Sequence, residues 1–235
     1  MTGKNIKPIE TRYKGYRFRS RLEARWAVFM DHLEVPWEYE PQGYVVDGRP
    51  YLPDFLVWPG TELAFWLEIK GQFPGQEELD KAQGLAEGSE IPAYVYWGKP
   101  EVPAGDLDHL THDEYIGWDQ DGYIWTDDSG WRSYPTQPPI WQLDLTPTAF
   151  RFGATNKAPI KSGFWWWMDC PFCGRAVIKM HGQVGGCPSN AHLDFGDLMD
   201  RHGPPYPRFA HRTDRLVKAY EAARSARFEH GQSGA

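Results

Sequence analysis

The sequence has few cysteines, no long apolar run and no overall excess of positive charge. Its 235 residues include three cysteines, an odd number grouped in one region, which argues against a disulfide scaffold. No stretch of the chain is apolar over the length that a membrane helix needs. The first residues are charged rather than apolar, so no signal peptide is expected and the protein is predicted to be cytoplasmic. A chain of this length holds one domain with an accessory module, or two small domains.

The net charge of −7 is unusual for a protein that contacts nucleic acid, but the charge is unevenly distributed. Residues 1–25 contain eight Lys or Arg against two Asp or Glu, and residues 146–235 contain twelve against seven. The basic ends could bind phosphates, with an affinity that falls steeply as salt rises. A solvated basic arm is the alternative for the N-terminal charges. The candidate nucleic-acid-binding residues are Lys14, Arg17, Arg19 and Arg21.

The most informative pattern is an apolar run that ends with Glu68 and Lys70, two residues apart. Residues 65–70 are mostly bulky or β-branched and Gly71 ends the run, which predicts a strand. Successive side chains of a strand point to opposite faces, so Glu68 and Lys70, with one residue between them, would share one face at a spacing of about 7 Å. The residues expected in the core on the other face are Phe65, Leu67 and Ile69.

A second short apolar run, residues 55–58, follows Pro53 and Asp54 and ends in a Pro-Gly turn signal. Antiparallel pairing of the two runs would bring Asp54 close to Glu68, giving two hard oxygen ligands of the kind that Mg²⁺ prefers. Phosphodiester hydrolysis uses such a centre, in which a lysine such as Lys70 orients the attacking water or neutralises developing charge. The alternative is a surface ion pair between Glu68 and Lys70, with Asp54 only capping a turn.

A third carboxylate lies near the start of a predicted helix, residues 20–33. Ser20 and Glu23 have the spacing of a capping box, and apolar residues follow at helical intervals. The apolar stripe would pack on the sheet with Glu23 beside it, where its carboxylate could reach the metal. If Glu23 only completes the cap, its side chain folds back onto the Ser20 amide instead.

This order of a helix glutamate, Pro-Asp and Glu-x-Lys resembles the PD-(D/E)XK nuclease superfamily. The local sequence is similar to the phage endonuclease I type of Holliday-junction-resolving enzyme, and transposase subunits with a nuclease fold share much of the pattern. The resemblance covers residues 16–71 well and extends toward residue 98. Its segments are Phe18-Arg19-Ser20-Arg21-Leu22-Glu23, Trp37-Glu38-Tyr39-Glu40, Tyr51-Leu52-Pro53-Asp54-Phe55-Leu56 and Leu67-Glu68-Ile69-Lys70-Gly71.

The resemblance implies a restriction-endonuclease-like fold and DNA cleavage that depends on Mg²⁺ or Mn²⁺. It implies Glu23, Asp54 and Glu68 as the acidic metal ligands, with Lys70 assisting the water. It also implies a homodimer, because paired nicks need two sites. No organic cofactor and no membrane partner are expected.

The three cysteines form a second metal-binding pattern. Cys170 and Cys173 have a Cys-x-x-Cys spacing, and Cys187 and His192 follow. Soft thiolates and an imidazole at this spacing predict a tetrahedral Zn²⁺ site, with His181 as a rival fourth ligand. Four protein ligands leave no position for water, so this zinc would be structural; three buried free cysteines are the alternative. The pattern is absent from simple resolvases, so a branched-DNA substrate does not follow from the resemblance.

The predicted fold class is α/β, a mixed β-sheet flanked by helices with a small zinc-ribbon-like module and a C-terminal helix. Strands are expected at residues 36–46, 51–58, 65–70 and 93–97, the last parallel to an earlier strand after a helix at 77–87. A hairpin is expected to pair residues 123–125 with 131–134, and a C-terminal helix is expected at 212–228. The predicted divisions are a nuclease domain at 1–105, an acidic aromatic hairpin extension at 106–150, the zinc-binding module at 151–205, and a helix and tail at 206–235.

The predicted function is a metal-dependent DNA endonuclease that hydrolyses phosphodiester bonds in branched, nicked or duplex DNA. The alternative is a non-catalytic DNA-binding or assembly factor that keeps the nuclease fold and uses the zinc module for recognition. The complete set of three acids and one lysine favours the enzyme, because a binding module has no need for acids that repel phosphate. Nothing in the sequence separates RNA from DNA as the substrate.

Overall fold

The structure of the chain, a computed structural model, describes residues 9–102, 123–126, 130–133, 149–152, 160–163, 165–170, 173–180 and 212–228. The chain forms two compact units, one of residues 1–102 with 146–235 and the other of residues 103–145. The candidate site lies in the first unit. Within the described ranges, no helix has both the length and the apolar character needed to cross a membrane.

A six-stranded mixed sheet is the centre of the first unit. From one edge to the other its strands are β12 (Ile160–Gly163), β11 (Ala149–Phe152), β8 (Ala93–Trp97), β7 (Phe65–Lys70), β6 (Phe55–Val57) and β3 (Trp37–Tyr39). β7 and β8 are parallel, and the other neighbours are antiparallel. The parallel pair needs a crossover, which is the helix α2 (Gln76–Ser89). The predicted mixed α/β architecture is confirmed at this level.

Two of the predicted strands are each divided, so their prediction as continuous strands was wrong. The strand expected at 36–46 is β3 and β4 (Tyr44–Val46), separated by Glu40 with a positive φ of 46°. The range 51–58, predicted as one strand, contains the last residue of β5 (Arg49–Tyr51) and all of β6. Between them Pro53 has no N–H to donate, and the N–H of Asp54 donates to a side chain instead of to a neighbouring strand. β4 and β5 form a separate antiparallel pair.

One face of the sheet is covered by two helices, α1 (Arg21–His32) and α3 (Asp214–Ser225). The ring of Tyr220 in α3 lies 4.4 Å from that of Phe29 in α1, measured between centroids. Trp26 of α1 meets Tyr96 of β8 edge-on at 5.2 Å. All four of these rings are fully buried. The C-terminal helix is therefore part of the core that supports the candidate catalytic strands.

The other face of the sheet is covered by α2 together with β4. Trp66 of β7 packs there with Val46, Leu85 and neighbouring small residues. Gly84 of α2 lies so close to Val46 that a Cβ at this position would overlap the Val46 Cγ1 methyl. A glycine inside a helix usually weakens it, and here the glycine permits the close approach of α2 to β4.

Three hairpins complete the described elements. β1 (Thr11–Tyr13) pairs with β2 (Tyr16–Phe18), and β13 (Trp165–Asp169) pairs with β14 (Ala176–Met180). In the second unit β9 (Tyr123–Thr126) pairs with β10 (Gly130–Ser133), as the sequence predicted.

Candidate active site

Asp54 and Glu68 lie opposite each other on adjacent antiparallel strands. Phe55 of β6 is in register with Leu67 of β7, which places the preceding Asp54 across from Glu68. The N–H of Asp54 donates to Glu68 Oε2 at 3.2 Å, and the N–H of Ile69 donates to Asp54 Oδ2 at 2.7 Å. Both acids are buried, with only 3% and 6% of their surface exposed. The predicted closeness of the two carboxylates is confirmed.

Lys70 lies on the same face of β7 as Glu68, as the strand alternation predicts. Its Nζ donates to Glu68 Oε1 at 2.7 Å and lies 3.3 Å from a carboxylate oxygen of Glu78 in α2. The hydroxyl of Tyr51 donates to Glu68 Oε2 at 2.9 Å. Phe65, Leu67 and Ile69 are buried in the core cluster of the opposite face. Glu68 is therefore held by a cation on one oxygen and by neutral donors on the other.

Glu23 faces the sheet from the first turn of α1. Ser20 is the helix N-cap, and its Oγ accepts from the N–H of Glu23 and donates to Glu23 Oε1. Glu23 Oε2 accepts from the hydroxyl of Tyr39 in β3 at 2.6 Å and from the N–H of Arg19 at 3.1 Å. The carboxylate thus bonds the Ser20 hydroxyl and the sheet, in the orientation that a role beyond helix capping requires.

Arg19 joins these carboxylates into one cluster. Its guanidinium Nη2 donates to Asp54 Oδ1 at 2.7 Å, and its Nε forms an ion pair with Glu40. Its backbone N–H is the donor that contacts Glu23. The sequence predicted that Arg19 binds phosphate, and this structure shows its guanidinium contacting Asp54 and Glu40. Phosphate binding by Arg19 stays a prediction.

The pKa of Asp54 is raised well above its usual range. Burial is the largest cause, and the negative charges of Glu68 and Glu23 raise this pKa further. The N–H of Ile69 and the charge of Arg19 act in the opposite direction. The folded chain therefore holds more negative charge around Asp54 than its own cations neutralise, which is the electrostatic condition that favours an additional cation.

Lys70 remains an ammonium in this environment. Burial acts to lower the pKa of Lys70, but the adjacent Glu68 carboxylate raises it overall, with smaller contributions from Asp54 and Glu78. The pKa of Tyr51 is also raised, first by burial and then by the charge of Glu68 and the hydrogen bond to it. Lys70 and Tyr51 therefore act here as hydrogen-bond donors and not as bases.

The three candidate ligands, Asp54, Glu68 and Glu23, have the right chemistry for a divalent cation. Their arrangement fits one only in part. Buried carboxylates that repel one another supply the hard oxygen ligands that Mg²⁺ and Mn²⁺ take. Asp54 and Glu68 adjoin directly, whereas Glu23 is engaged by Ser20 and Tyr39. Among the described residues, no three His, Cys, Asp or Glu side chains are grouped as ligands of one metal ion. The role of Glu23 as third ligand stays a prediction.

The other basic residues predicted to bind nucleic acid are not gathered at the acids. Lys14 forms a 2.8 Å ion pair with Asp31, and Arg17 pairs with Glu10. Arg21 is partly buried, and its Nε has no hydrogen-bond partner among the described residues. Binding of DNA by these residues stays a prediction.

The first half of the predicted zinc site forms a tight turn between β13 and β14. The N–H of Gly174 donates to the carbonyl of Cys170 at 2.8 Å, and the N–H of Cys170 donates to the carbonyl of Arg175 at 2.9 Å. Gly174 has a positive φ of 67°, which favours glycine. Cys170 is buried and Cys173 is exposed. The remaining ligands, Cys187, His192 and the rival His181, lie outside the described residues.

The residues beside the turn contact the rest of the first unit through a hydrogen bond, an ion pair and a cation–π contact. Asp169, which precedes the turn, accepts a hydrogen bond from Thr213, the N-cap of α3, and forms a 3.1 Å ion pair with Arg215. The guanidinium of Arg175 lies over the ring of Trp58, 5.0 Å from its centroid. A metal at this turn would thus stabilise a segment that also holds the C-terminal helix.

Three residues of the acidic cluster were not identified from the sequence as site residues. They are Tyr39, Tyr51 and Glu78, which contact Glu23, Glu68 and Lys70. The two tyrosines stand within the quoted segments of the family resemblance, and this position was the available signal. The sequence carried no such signal for Glu78, because its contact with Lys70 depends on how α2 packs on the sheet.

Comparisons of this chain with protein-family models, with curated proteins and with solved structures find no match.

Proposed function

We propose that the protein is a metal-dependent endonuclease that hydrolyses phosphodiester bonds in DNA. The observation that carries this proposal is the buried pair of Asp54 and Glu68, with Lys70 on the same strand face and Glu23 directed toward the sheet. The order of these residues along α1, β6 and β7 is the order on which the resemblance to PD-(D/E)XK nucleases rests. An acidic cluster of this kind costs folding stability, so a functional role accounts for it better than a structural one.

The divalent ion would be held by Asp54 and Glu68, with Glu23 as the further candidate ligand. A bound Mg²⁺ polarises a phosphoryl oxygen and lowers the pKa of a coordinated water, which is the chemistry that phosphodiester hydrolysis needs. Lys70 is held as an ammonium beside Glu68, so it donates a hydrogen bond to the attacking water or to a negatively charged phosphoryl oxygen. Tyr51 fixes the orientation of Glu68 through its hydroxyl.

The second metal in the proposal is a structural Zn²⁺ at Cys170, Cys173, Cys187 and His192. The turn geometry at Cys170 and the positive φ of Gly174 support it. Its role is to hold β13, β14 and α3 together, because Asp169 connects the turn to α3. No reaction step is assigned to this ion.

One observation favours the alternative of a non-catalytic factor that keeps the nuclease fold. All four oxygens of Asp54 and Glu68 accept hydrogen bonds from donors of the chain itself. A fold that had lost its metal would be expected to satisfy its acids in this way. Cleavage assays separate the two functions.

The test is a cleavage panel of four-way junction, flap, single-stranded and linear duplex DNA, with duplex RNA as a further substrate, in Mg²⁺ or Mn²⁺. We expect cleavage of at least one DNA substrate and its loss with chelator. Asp54→Asn and Lys70→Ala are expected to reduce the rate by about a hundredfold or more, because the first removes a charged ligand of the ion and the second removes a donor to the reacting groups.

Two neighbouring surface residues of α2 provide matched controls for these variants. Among the described residues, the Asp80 carboxylate is bonded to Gln76 and Lys81 is paired with Glu77, and neither is bonded to Asp54, Glu68 or Lys70. Asp80→Asn and Lys81→Ala should retain the wild-type rate. Cleavage by the Asp54→Asn protein at the wild-type rate would remove the proposed site, and a folded wild-type protein that binds DNA without cutting any substrate would favour the non-catalytic alternative.

A further inference from the structure

Arg19 is the cation that neutralises Asp54 in this structure. Its Nη2 donates to Asp54 Oδ1 at 2.7 Å and to the carbonyl of Leu52 at 3.3 Å. Its Nε is paired with Glu40. A divalent ion held by Asp54 and Glu68 would therefore meet a resident positive charge on one of its ligands.

The remaining donors to the two carboxylates are less able to leave. The N–H groups of Ile69 and Asp54 belong to the backbone of the β6–β7 region, and both are buried. Tyr51, which donates to Glu68, is partly buried. Lys70 and Arg19 are each paired with two acids, but the Lys70 side chain is only 25% exposed, whereas that of Arg19 is 52% exposed. A guanidinium that is already half in water loses little on moving further out. Asp54 Oδ1 is thus the carboxylate oxygen at which a metal ion can most easily replace the hydrogen bond from the protein, here the one donated by Arg19.

We infer that Arg19 is a built-in competitor of the divalent cation, which occupies Asp54 Oδ1 until the cation displaces it. The inference rests on the proposed function for the identity of the cation site. Arg19 would then have two opposite effects on the chain. It stabilises the metal-free fold by neutralising part of the acidic cluster, and it lowers the affinity for metal because its bond to Asp54 must be broken first.

The experiment is a titration of the whole chain with Mn²⁺, with the cysteine site kept loaded with zinc and no other divalent ion present. Binding is followed by calorimetry or by the electron paramagnetic resonance of the free ion. Arg19→Gln removes the charge and keeps a side chain of similar length. We expect it to bind Mn²⁺ about fivefold more tightly than the wild type, which is the upper end of what an ion pair with a half-exposed cation contributes. Arg19→Lys keeps a point charge without the two-pronged geometry of the guanidinium, so its affinity should lie between the two.

Arg49→Ala is the matched control for loss of one positive charge. Arg49 is exposed and forms its ion pair with Glu77 rather than with Asp54 or Glu68. Its removal should leave the Mn²⁺ affinity within about twofold of the wild type, since exposed charges are screened over about 10 Å in salt. An equal increase in affinity for Arg49→Ala and Arg19→Gln would show a general effect of charge and would overturn the inference.

The outcomes separate this inference from the proposed function. Equal Mn²⁺ affinity in the wild type and Arg19→Gln, both folded by circular dichroism, removes the competition and leaves the proposed nuclease untouched. Tighter binding by Arg19→Gln together with no cleavage of any substrate supports the competition and counts against the enzyme. Absence of Mn²⁺ binding by both proteins removes the cation site, and with it both proposals.

Discussion

Replacement of Asp54 by Asn should stabilise the metal-free protein, although Asp54 is among its most buried polar residues. The pKa of this carboxyl is raised by burial and by the charges of Glu68 and Glu23, so the folded state binds its proton more tightly than the unfolded state does. The free energy of unfolding therefore falls as pH rises from the ordinary carboxyl pKa of about 4 to the higher pKa that Asp54 has in the folded protein. Over that window each pH unit costs the wild type about 1.4 kcal/mol, and the Asn variant is spared this loss.

The opposing terms of this substitution are smaller. The variant loses the ion pair with Arg19, whose side chain is half exposed, and such pairs contribute about 0–1 kcal/mol. The Asn oxygen can still accept the hydrogen bond from the N–H of Ile69. At pH 8 without added divalent ions other than the structural zinc, we therefore expect a higher free energy of unfolding than that of the wild type, and a difference that shrinks toward pH 4.

Urea unfolding at several pH values, without added Mg²⁺ and again with it, measures this difference. Mg²⁺ should stabilise the wild type, by about 2.7 kcal/mol at a hundred times its dissociation constant, and should stabilise the Asn variant much less. Asp31→Asn is the control, and we expect it to lower the free energy of unfolding instead of raising it. Asp31 accepts hydrogen bonds from Tyr13 and Trp37 and pairs with Lys14, so its loss should destabilise by about 1–3 kcal/mol. A lower stability of Asp54→Asn at pH 8, or a difference that does not vary with pH, would refute the reasoning.

Three further predictions concern the fold and the second metal. Gly84→Ala should destabilise by about 1–2 kcal/mol in urea unfolding because its Cβ overlaps a Val46 methyl, whereas Gly88→Ala in the same helix has open space and should stabilise by up to about 1 kcal/mol. Tyr220→Phe should raise the melting temperature by a few degrees, since the buried hydroxyl has no hydrogen-bond partner among the described residues. Metal analysis of protein purified without chelator should find one zinc per chain, and Cys170→Ser should lose it and unfold more easily; zinc-free wild-type protein of full stability contradicts this.

The parts of the fold that the sequence predicted well are those determined by short-range patterns. The strand Phe65–Lys70 has alternating faces and a glycine directly after it, and its core residues are buried as expected. The helix that begins after Ser20 has a true N-cap, and Ala93–Trp97 pairs in parallel with Phe65–Lys70. These signals lie within a few residues of the elements they specify. The predicted opposition of Asp54 and Glu68 follows from the same alternation and the hairpin between them.

The parts that the sequence did not predict depend on contacts between distant residues. A left-handed backbone conformation at Glu40 separates β3 from β4, and nothing in the neighbouring residues signals it. The association of Arg19 with Asp54 joins residues 35 positions apart, so a basic residue in a basic segment was assigned to phosphate binding. The addition of β11 and β12 to the sheet beside β8 likewise depends on tertiary pairing.

The candidate site combines features that oppose one another in the absence of metal. Burial raises the pKa of Asp54 and disfavours its charge, while Arg19 and Lys70 supply positive charge that only partly compensates. A chain optimised for stability alone would replace Asp54 by a neutral residue, because buried ionic clusters are often no better than neutral packing. A divalent ion bound as proposed would reverse this balance, since it would convert the repulsion between Asp54 and Glu68 into shared coordination. Stability that increases with divalent metal, and that Asp54→Asn makes independent of it, is therefore the property that distinguishes a working site from a structural remnant.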